Sequence, residues 1–277
     1  MLDLFQTGFG DLSWGNLVML GIGLTFIWLA ITKKWEPYEL LPIGVGMLLA
    51  NLPGTGLLLQ PHEAGGQFGS AGLLGTFIEY GLLRYTILPQ LIFVGLGAMT
   101  DFSPLIANPR LFLLGAAAQV GIIIAFLGAL ALGHFGIAGF GLEEAAAIAI
   151  IGGADGPTTI FLTSQLAPEL MGVTAVAAYS YMAMVAIIQP PLIRMLTTKK
   201  ERQTYMKPQL RQVSKREKIF FPIVCTILVI LLVPRSAPLV GMFMFGNLLR
   251  ESGVVDRLSD AAQNALINIT TIILMLC

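Results

Sequence analysis

Gly152-Gly153-Ala154-Asp155-Gly156-Pro157-Thr158-Thr159 interrupts an apolar stretch that runs from Ala145 through Ile151 and resumes at Ile160-Phe161-Leu162. An unbroken helix over this stretch would be long enough to enter a bilayer, yet three glycines, a proline and a carboxylate sit at its centre. Gly and Pro each weaken a helix interior, and Pro157 both removes a backbone donor and crowds the preceding turn. An ionisable side chain in hydrocarbon costs a few kcal/mol more, about 3 by insertion-based scales. Broken helices persist at membrane depth where their freed carbonyls and amides face a cavity or a bound ion, so the stretch reads as a site rather than a strut. The plainer alternative is a kinked span whose Asp155 makes one buried hydrogen bond.

Composition extends this reading to the whole chain. Of 277 residues 56% are hydrophobic and 12% charged, about half the charge of a soluble domain, so the expected class is an integral membrane protein. The 31 glycines suit close helix packing in lipid. A net charge of zero argues against nucleic acid as a partner. Cys225 and Cys277 lie in apolar runs without metal-ligand spacing, and His62 and His134 are isolated. The acidic start, with Asp3 and Asp11, does not read as a cleavable signal.

The spans follow in order. Met1–Trp14 reads as an amphipathic lead-in at the interface, and Asn16–Ile31 as a clean span closed by Thr32-Lys33-Lys34-Trp35. Leu40–Leu59, cut by Pro42, Pro53 and four glycines, is expected to be short, kinked or split. After a polar loop over Gln60–Ser70, two half-length runs, Ala71–Leu83 and Thr86–Met99, suggest a re-entrant hairpin or two tilted helices. Asp101 or Ser103 caps a helix with Pro104 in its first turn. Leu111–Leu132 is a strong span; Glu143-Glu144 open the broken segment, and Met171–Leu196 is a further span. Thr197–Lys218 carries eight Lys or Arg against two Glu, and the positive-inside rule makes this basic loop cytoplasmic. Ile219–Val233, Pro238–Leu249 and a run beginning at Asn264 complete the pattern. The N-terminal orientation depends on how the split runs are counted. Residues 1–277 read as one transmembrane domain, an all-α multi-span bundle with broken or re-entrant helices. The runs ending at Met99 and Cys277 share a loose pattern, and the last closes without an anchor. Inverted repeats with the C-terminal half missing are therefore expected.

Asp155 is the one carboxylate in the middle of a full-length predicted span; Glu79 reads as an end-of-helix or paired group near Arg84. Asp155, the Thr158 and Thr159 hydroxyls and helix-end carbonyls such as that of Gly153 offer hard oxygen ligands for a small cation such as sodium. A buried carboxylate of this kind also takes a proton when the cation leaves. Tyr179 and Tyr181, two apart, should face different sides, so one at most is expected to look toward Asp155. Gln189, eight residues after Tyr181, is expected to present its amide to the same interior. Arg250–Arg257 read as anchors that could receive an acidic substrate.

Gly152-Gly153-Ala154-Asp155-Gly156-Pro157-Thr158-Thr159-Ile160 resembles the signature of the membrane-embedded beta subunits of sodium-pumping, biotin-dependent decarboxylases, those of oxaloacetate, methylmalonyl-CoA and glutaconyl-CoA. The resemblance extends to Gly97-Ala98-Met99-Thr100-Asp101-Phe102, Ala178-Tyr179-Ser180-Tyr181-Met182, Ile188-Gln189-Pro190-Pro191 and Gly246-Asn247-Leu248-Leu249-Arg250-Glu251-Ser252-Gly253. It implies a subunit that decarboxylates carboxybiotin, consumes a proton and exports sodium. Asp155 would then be the catalytic and sodium-binding carboxylate and Tyr181 the proton donor or relay, while Gly153 and Thr158 as further sodium ligands rest on the oxygen donors around the break. Implied partners are a carboxyltransferase alpha subunit with its biotin carrier, a small gamma or delta membrane subunit, further copies of the chain and membrane lipid. The implied location is the inner or plasma membrane of a prokaryote. A secondary sodium/proton antiporter without a chemical step is the alternative that composition leaves open.

Overall fold

The structure, a computed structural model, describes residues 8–63, 71–205 and 211–277, the side chains at 182, 183 and 186 excepted. The start of the expected lead-in, most of the Gln60–Ser70 loop and the middle of the basic stretch lie outside the described residues. Among the described residues the chain is helical, without strands. The helices are α1 (Trp14–Trp28), α2 (Pro37–Asn51), α3 (Leu73–Arg84), α4 (Ile87–Met99), α5 (Ser103–Ala107), α6 (Phe112–His134) and α7 (Leu142–Ala149). They continue with α8 (Gly156–Leu166), α9 (Met171–Leu196), α10 (Lys199–Arg202), α11 (Lys215–Leu232), α12 (Met242–Ser252), α13 (Asp256–Ala261) and α14 (Ile267–Leu276).

Local chemistry sets the starts. Ser13 caps α1 by accepting from the Asn16 amide at 3.2 Å, and the Asn16 side chain reaches the Asn51 carbonyl at 3.1 Å, joining the start of α1 to the end of α2. With a π-wound last turn, α1 runs over Trp14–Lys33, 20 residues, about 30 Å at the α-helical rise and long enough to cross a bilayer. Pro109–His134 forms a second span of 26 residues with its apolar side chains largely exposed. The two half-length runs become α3 and α4, bent 71° from one another across Tyr85 and Thr86, whose left-handed backbone (φ 49°) makes the corner. Asp101 accepts from the Ser103 amide at 2.9 Å just ahead of α5, whose N-cap position is Phe102, and Glu144 accepts from the Gly141 amide at 2.8 Å to open α7.

Glycine decides where helices cross. A Cβ on Gly97 would overlap the Phe243 carbonyl, and one on Gly246 would overlap that of Val94, so α4 and α12 touch backbone to backbone. Gly23 and Gly44 play the same part between α1 and α2. The largest core cluster draws Ile43 and Met47 of α2, Leu82 of α3, Leu88 and Ile92 of α4, Ile160 of α8, Tyr179 of α9 and Leu274 and Met275 of α14 to one place. Six helices thus meet beside the broken segment.

One expectation fails along α9. Gln189 is exposed, as are the described residues around it near the end of the helix. Only the first half of α9 lies over α8 and the core, so a shared helical side did not place Gln189 and Tyr181 in one interior.

Candidate functional site

The broken segment consists of α7, a 3-10 turn over Ile150–Gly153, a single left-handed residue and α8. The left-handed residue is Ala154 (φ 56°), a conformation that costs a side chain with a Cβ of order 1 kcal/mol. Pro157 falls in the first turn of α8, where its missing donor has no partner to lose. The proline therefore starts a helix here, and the chain break comes from Ala154 and the glycines.

Asp155 occupies the N-cap of α8. One of its carboxylate oxygens accepts from the Thr158 amide at 3.3 Å and, at very short range, from the Thr158 hydroxyl. Its carbonyl accepts from the Thr159 hydroxyl at 2.9 Å. A carboxylate at this position is favoured by the α8 amides and the helix dipole, while the carbonyl end of α7 and its turn approaches from the other side. Asp155 is half-buried, and among the described residues it forms no ion pair. The Thr158 hydroxyl donates its proton to Asp155 and keeps its lone pairs for another partner. Gly153 is exposed at the end of the turn, beside Ile122 of α6. Behind the carboxylate runs a buried hydroxyl strip: Thr159 and Thr163, one turn apart on α8, and Thr174 of α9, whose hydroxyl lies 3.3 Å from that of Thr163.

Both tyrosines of α9 come to this place. Tyr179 is 2% exposed. A Cβ on Gly156 would stand 2.5 Å from its ring and its hydroxyl oxygen, so the phenol lies directly over the residue after Asp155. Tyr181 is half-buried with its hydroxyl oxygen enclosed, and both phenols are close enough to Asp155 to feel its charge. The two-sides expectation is corrected: long aromatic side chains reach a common point from neighbouring faces when the helix passes over the break. Tyr179 also lines an apolar cavity of about 460 Å³ with Met19, Met47, Ile160 and Met275.

Two participants were not singled out from the sequence. Glu39, in the first turn of α2, lies within charge range of Asp155 and of both phenols, with one carboxylate oxygen buried. Its only sequence signal was an acid immediately before the apolar run at Leu40. For Tyr179 the sequence offers only a choice between it and Tyr181. Glu79, by contrast, is paired with His62 rather than Arg84, at 3.1 Å. Arg250 is also engaged, donating to the Met99 carbonyl at 2.7 Å and lying 3.8 Å from Glu251, which does not fit the expected receptor for an acidic substrate.

Over residues 15–277 the chain matches the family described as Na+-transporting oxaloacetate decarboxylase beta subunit. It is 52% identical to the oxaloacetate decarboxylase beta chain of Klebsiella pneumoniae, across 96% of this chain and 72% of that one. It is 54% identical to the methylmalonyl-CoA decarboxylase subunit beta of Propionigenium modestum, across 99% and 71% respectively. A third relative, the glutaconyl-CoA decarboxylase subunit beta of Acidaminococcus fermentans, is 52% identical across 97% of this chain and 67% of its own length. The chain belongs to this beta-subunit family.

Proposed function

We propose that this family member is the membrane subunit in which decarboxylation of carboxybiotin drives sodium export. The observation that carries the reading is the half-buried Asp155 at a helix break, beside enclosed phenol oxygens without hydrogen-bond partners and in a chain of this family. Family membership weighs against an antiporter with no chemical step.

Carboxybiotin, brought by a partner subunit, loses carbon dioxide as its N–C bond breaks, and the nitrogen takes up one proton. The chain's own residues hold the cation and move that proton. Asp155 binds sodium through the oxygen that Thr158 leaves available, with the Thr158 hydroxyl and the Gly153 carbonyl as further donors. Tyr181, whose hydroxyl oxygen is enclosed near Asp155, serves as proton donor or relay. When sodium leaves Asp155, a proton replaces it, so the two compete for one carboxylate. The chain acts within a complex with a carboxyltransferase alpha subunit, its biotin carrier, a small gamma or delta subunit and further copies of itself, in a prokaryotic inner membrane. The basic stretch Thr197–Lys218 faces the cytoplasm. An inverted-repeat architecture is supported by the loose likeness of the runs ending at Met99 and Cys277, whose helices α4 and α14 pack together.

The test is made on the whole complex, wild type beside Asp155→Asn. Sodium uptake into reconstituted vesicles and sodium-stimulated decarboxylation should fall together, about 100-fold or more for a group acting in the coupled step. Carboxyl transfer to biotin should survive. Continued sodium movement in the variant would leave the break as a kink only.

A further inference from the structure

Among the described residues, three buried side-chain polar atoms have no hydrogen-bond partner: one carboxylate oxygen of Glu39 (Oε2) and the hydroxyl oxygens of Tyr179 and Tyr181. All three groups lie within charge range of Asp155. Buried polar atoms left without partners are disfavoured, and the Tyr179 hydroxyl lies over Gly156, next to Asp155, so these atoms call for a partner other than the described side chains.

The backbone explains how Glu39 comes there. Lys34 and Glu36 both adopt left-handed conformations (φ 55° and 31°), turning the chain sharply after α1 so that Pro37 starts α2. Leu40, Ile43 and Met47 then bury one side of α2, with Ile43 and Met47 in the same cluster as Ile160 and Tyr179. This packing brings Glu39, at the start of that helix, within charge range of Asp155. Neither Glu39 nor Asp155 has an ion pair among the described residues. Two carboxylates near one another repel unless a cation stands with them. No third acidic, His or Cys group joins them among the described residues.

We propose that Glu39 is a second carboxylate ligand of the transported sodium ion, which Glu39 and Asp155 hold jointly while the buried Tyr179 hydroxyl supplies a neutral oxygen. This rests on the reading of Asp155 as the sodium-binding carboxylate. Gly156 is what admits the phenol: any side chain there would meet the Tyr179 ring. Glu36, one turn before Glu39, is exposed and stays outside the site.

The experiment is equilibrium binding of radioactive sodium to the purified, intact complex without carboxylated substrate, so that binding is read apart from turnover. Wild type is compared with Glu39→Gln, Glu36→Gln and Asp155→Asn. Glu39→Gln should weaken sodium binding about tenfold, while Glu36→Gln stays within about twofold. Wild-type affinity in Glu39→Gln with affinity lost in Asp155→Asn overturns the role of Glu39 and leaves Asp155 as sole carboxylate. Wild-type affinity in Asp155→Asn overturns the underlying reading. Equal weakening by Glu36→Gln and Glu39→Gln would mean a general charge effect and no ligation. Should Glu39→Gln not assemble, Glu39→Asp keeps the charge on a shorter arm. Lithium-to-sodium preference should then change by about threefold or more, because ligand reach sets ion size, and an unchanged preference overturns the proposal.

Discussion

Two polar regions of this molecule are built on opposite principles. Where α4, α5, α11 and α12 end together, the polar groups have protein partners. Asn247, 1% exposed, donates to the Gly97 and Thr100 carbonyls at 3.3 and 2.8 Å. Lys218 lies 3.8 Å from Asp101 and 3.7 Å from Glu251, and Arg211 pairs with Glu217 at 2.7 Å. Around the Asp155 break, the enclosed oxygens of Glu39, Tyr179 and Tyr181 have none among the described residues. A satisfied network fixes helices relative to one another. An unsatisfied one is held in place by surrounding apolar packing, at a cost of about 1–3 kcal/mol for each buried group left without a partner. The difference separates scaffold from site more sharply than burial or charge alone.

The contrast can be broken by substitution. The largest effect is expected from Gly246→Ala, because its new Cβ would overlap the backbone of α4 at Val94, where no side chain can rotate away. Loss of about 3 kcal/mol or more, or failure to assemble, should appear in thermal unfolding of the purified complex. If the variant unfolds like wild type, the α4–α12 contact is not what holds the scaffold.

A sharper comparison sets Asn247→Ala against Tyr179→Phe. The first takes a side-chain donor from the Gly97 and Thr100 carbonyls and should cost about 1–3 kcal/mol, with sodium affinity unchanged. The second removes an oxygen that lacks a protein partner, so the sodium-free protein should be as stable as wild type or slightly more so, while sodium binds more weakly. Equal destabilisation by both would show that the Tyr179 hydroxyl is structural.

The smallest effect concerns pH at the scaffold end. The Ser214 amide, then Arg211 and the Ser214 hydroxyl, hold the Glu217 carboxyl at about 2 against an ordinary 4.5. The folded state therefore prefers the ionised form, and this contribution is fully present above pH 4.5 and is lost as pH falls toward 2. Glu217 is exposed to solvent, so the slope is shallow. Acid unfolding of Glu217→Gln should lack that component, with no change in sodium binding at neutral pH.

Sequence reading goes far here, and unevenly. The first span, the strong span at α6, the bent pair at α3 and α4, and the helix-start hydrogen bonds of Asp101 and Glu144 follow from runs of apolar residues and local hydrogen-bond chemistry. Pro157 was read as a disruption because a proline inside an apolar run looks the same whether it breaks one helix or starts the next; only the left-handed turn at Ala154 tells them apart. Gln189 was misplaced because helical spacing reports which residues share a side and says nothing of what packs there.

By itself, then, the sequence determined the membrane class, the break at Asp155 and, through the motifs around it, the family. Those properties are written in composition and in contiguous residues, where the cost of charge and glycine in an apolar run can be counted directly. Tertiary structure decided the company Asp155 keeps. Glu39 and Tyr179 reach it from α2 and α9 because Ile43, Met47, Ile160 and Tyr179 bury one another in a shared core. Helix periodicity fixes the faces of each helix, and only the packing of those faces brings distant residues to one place.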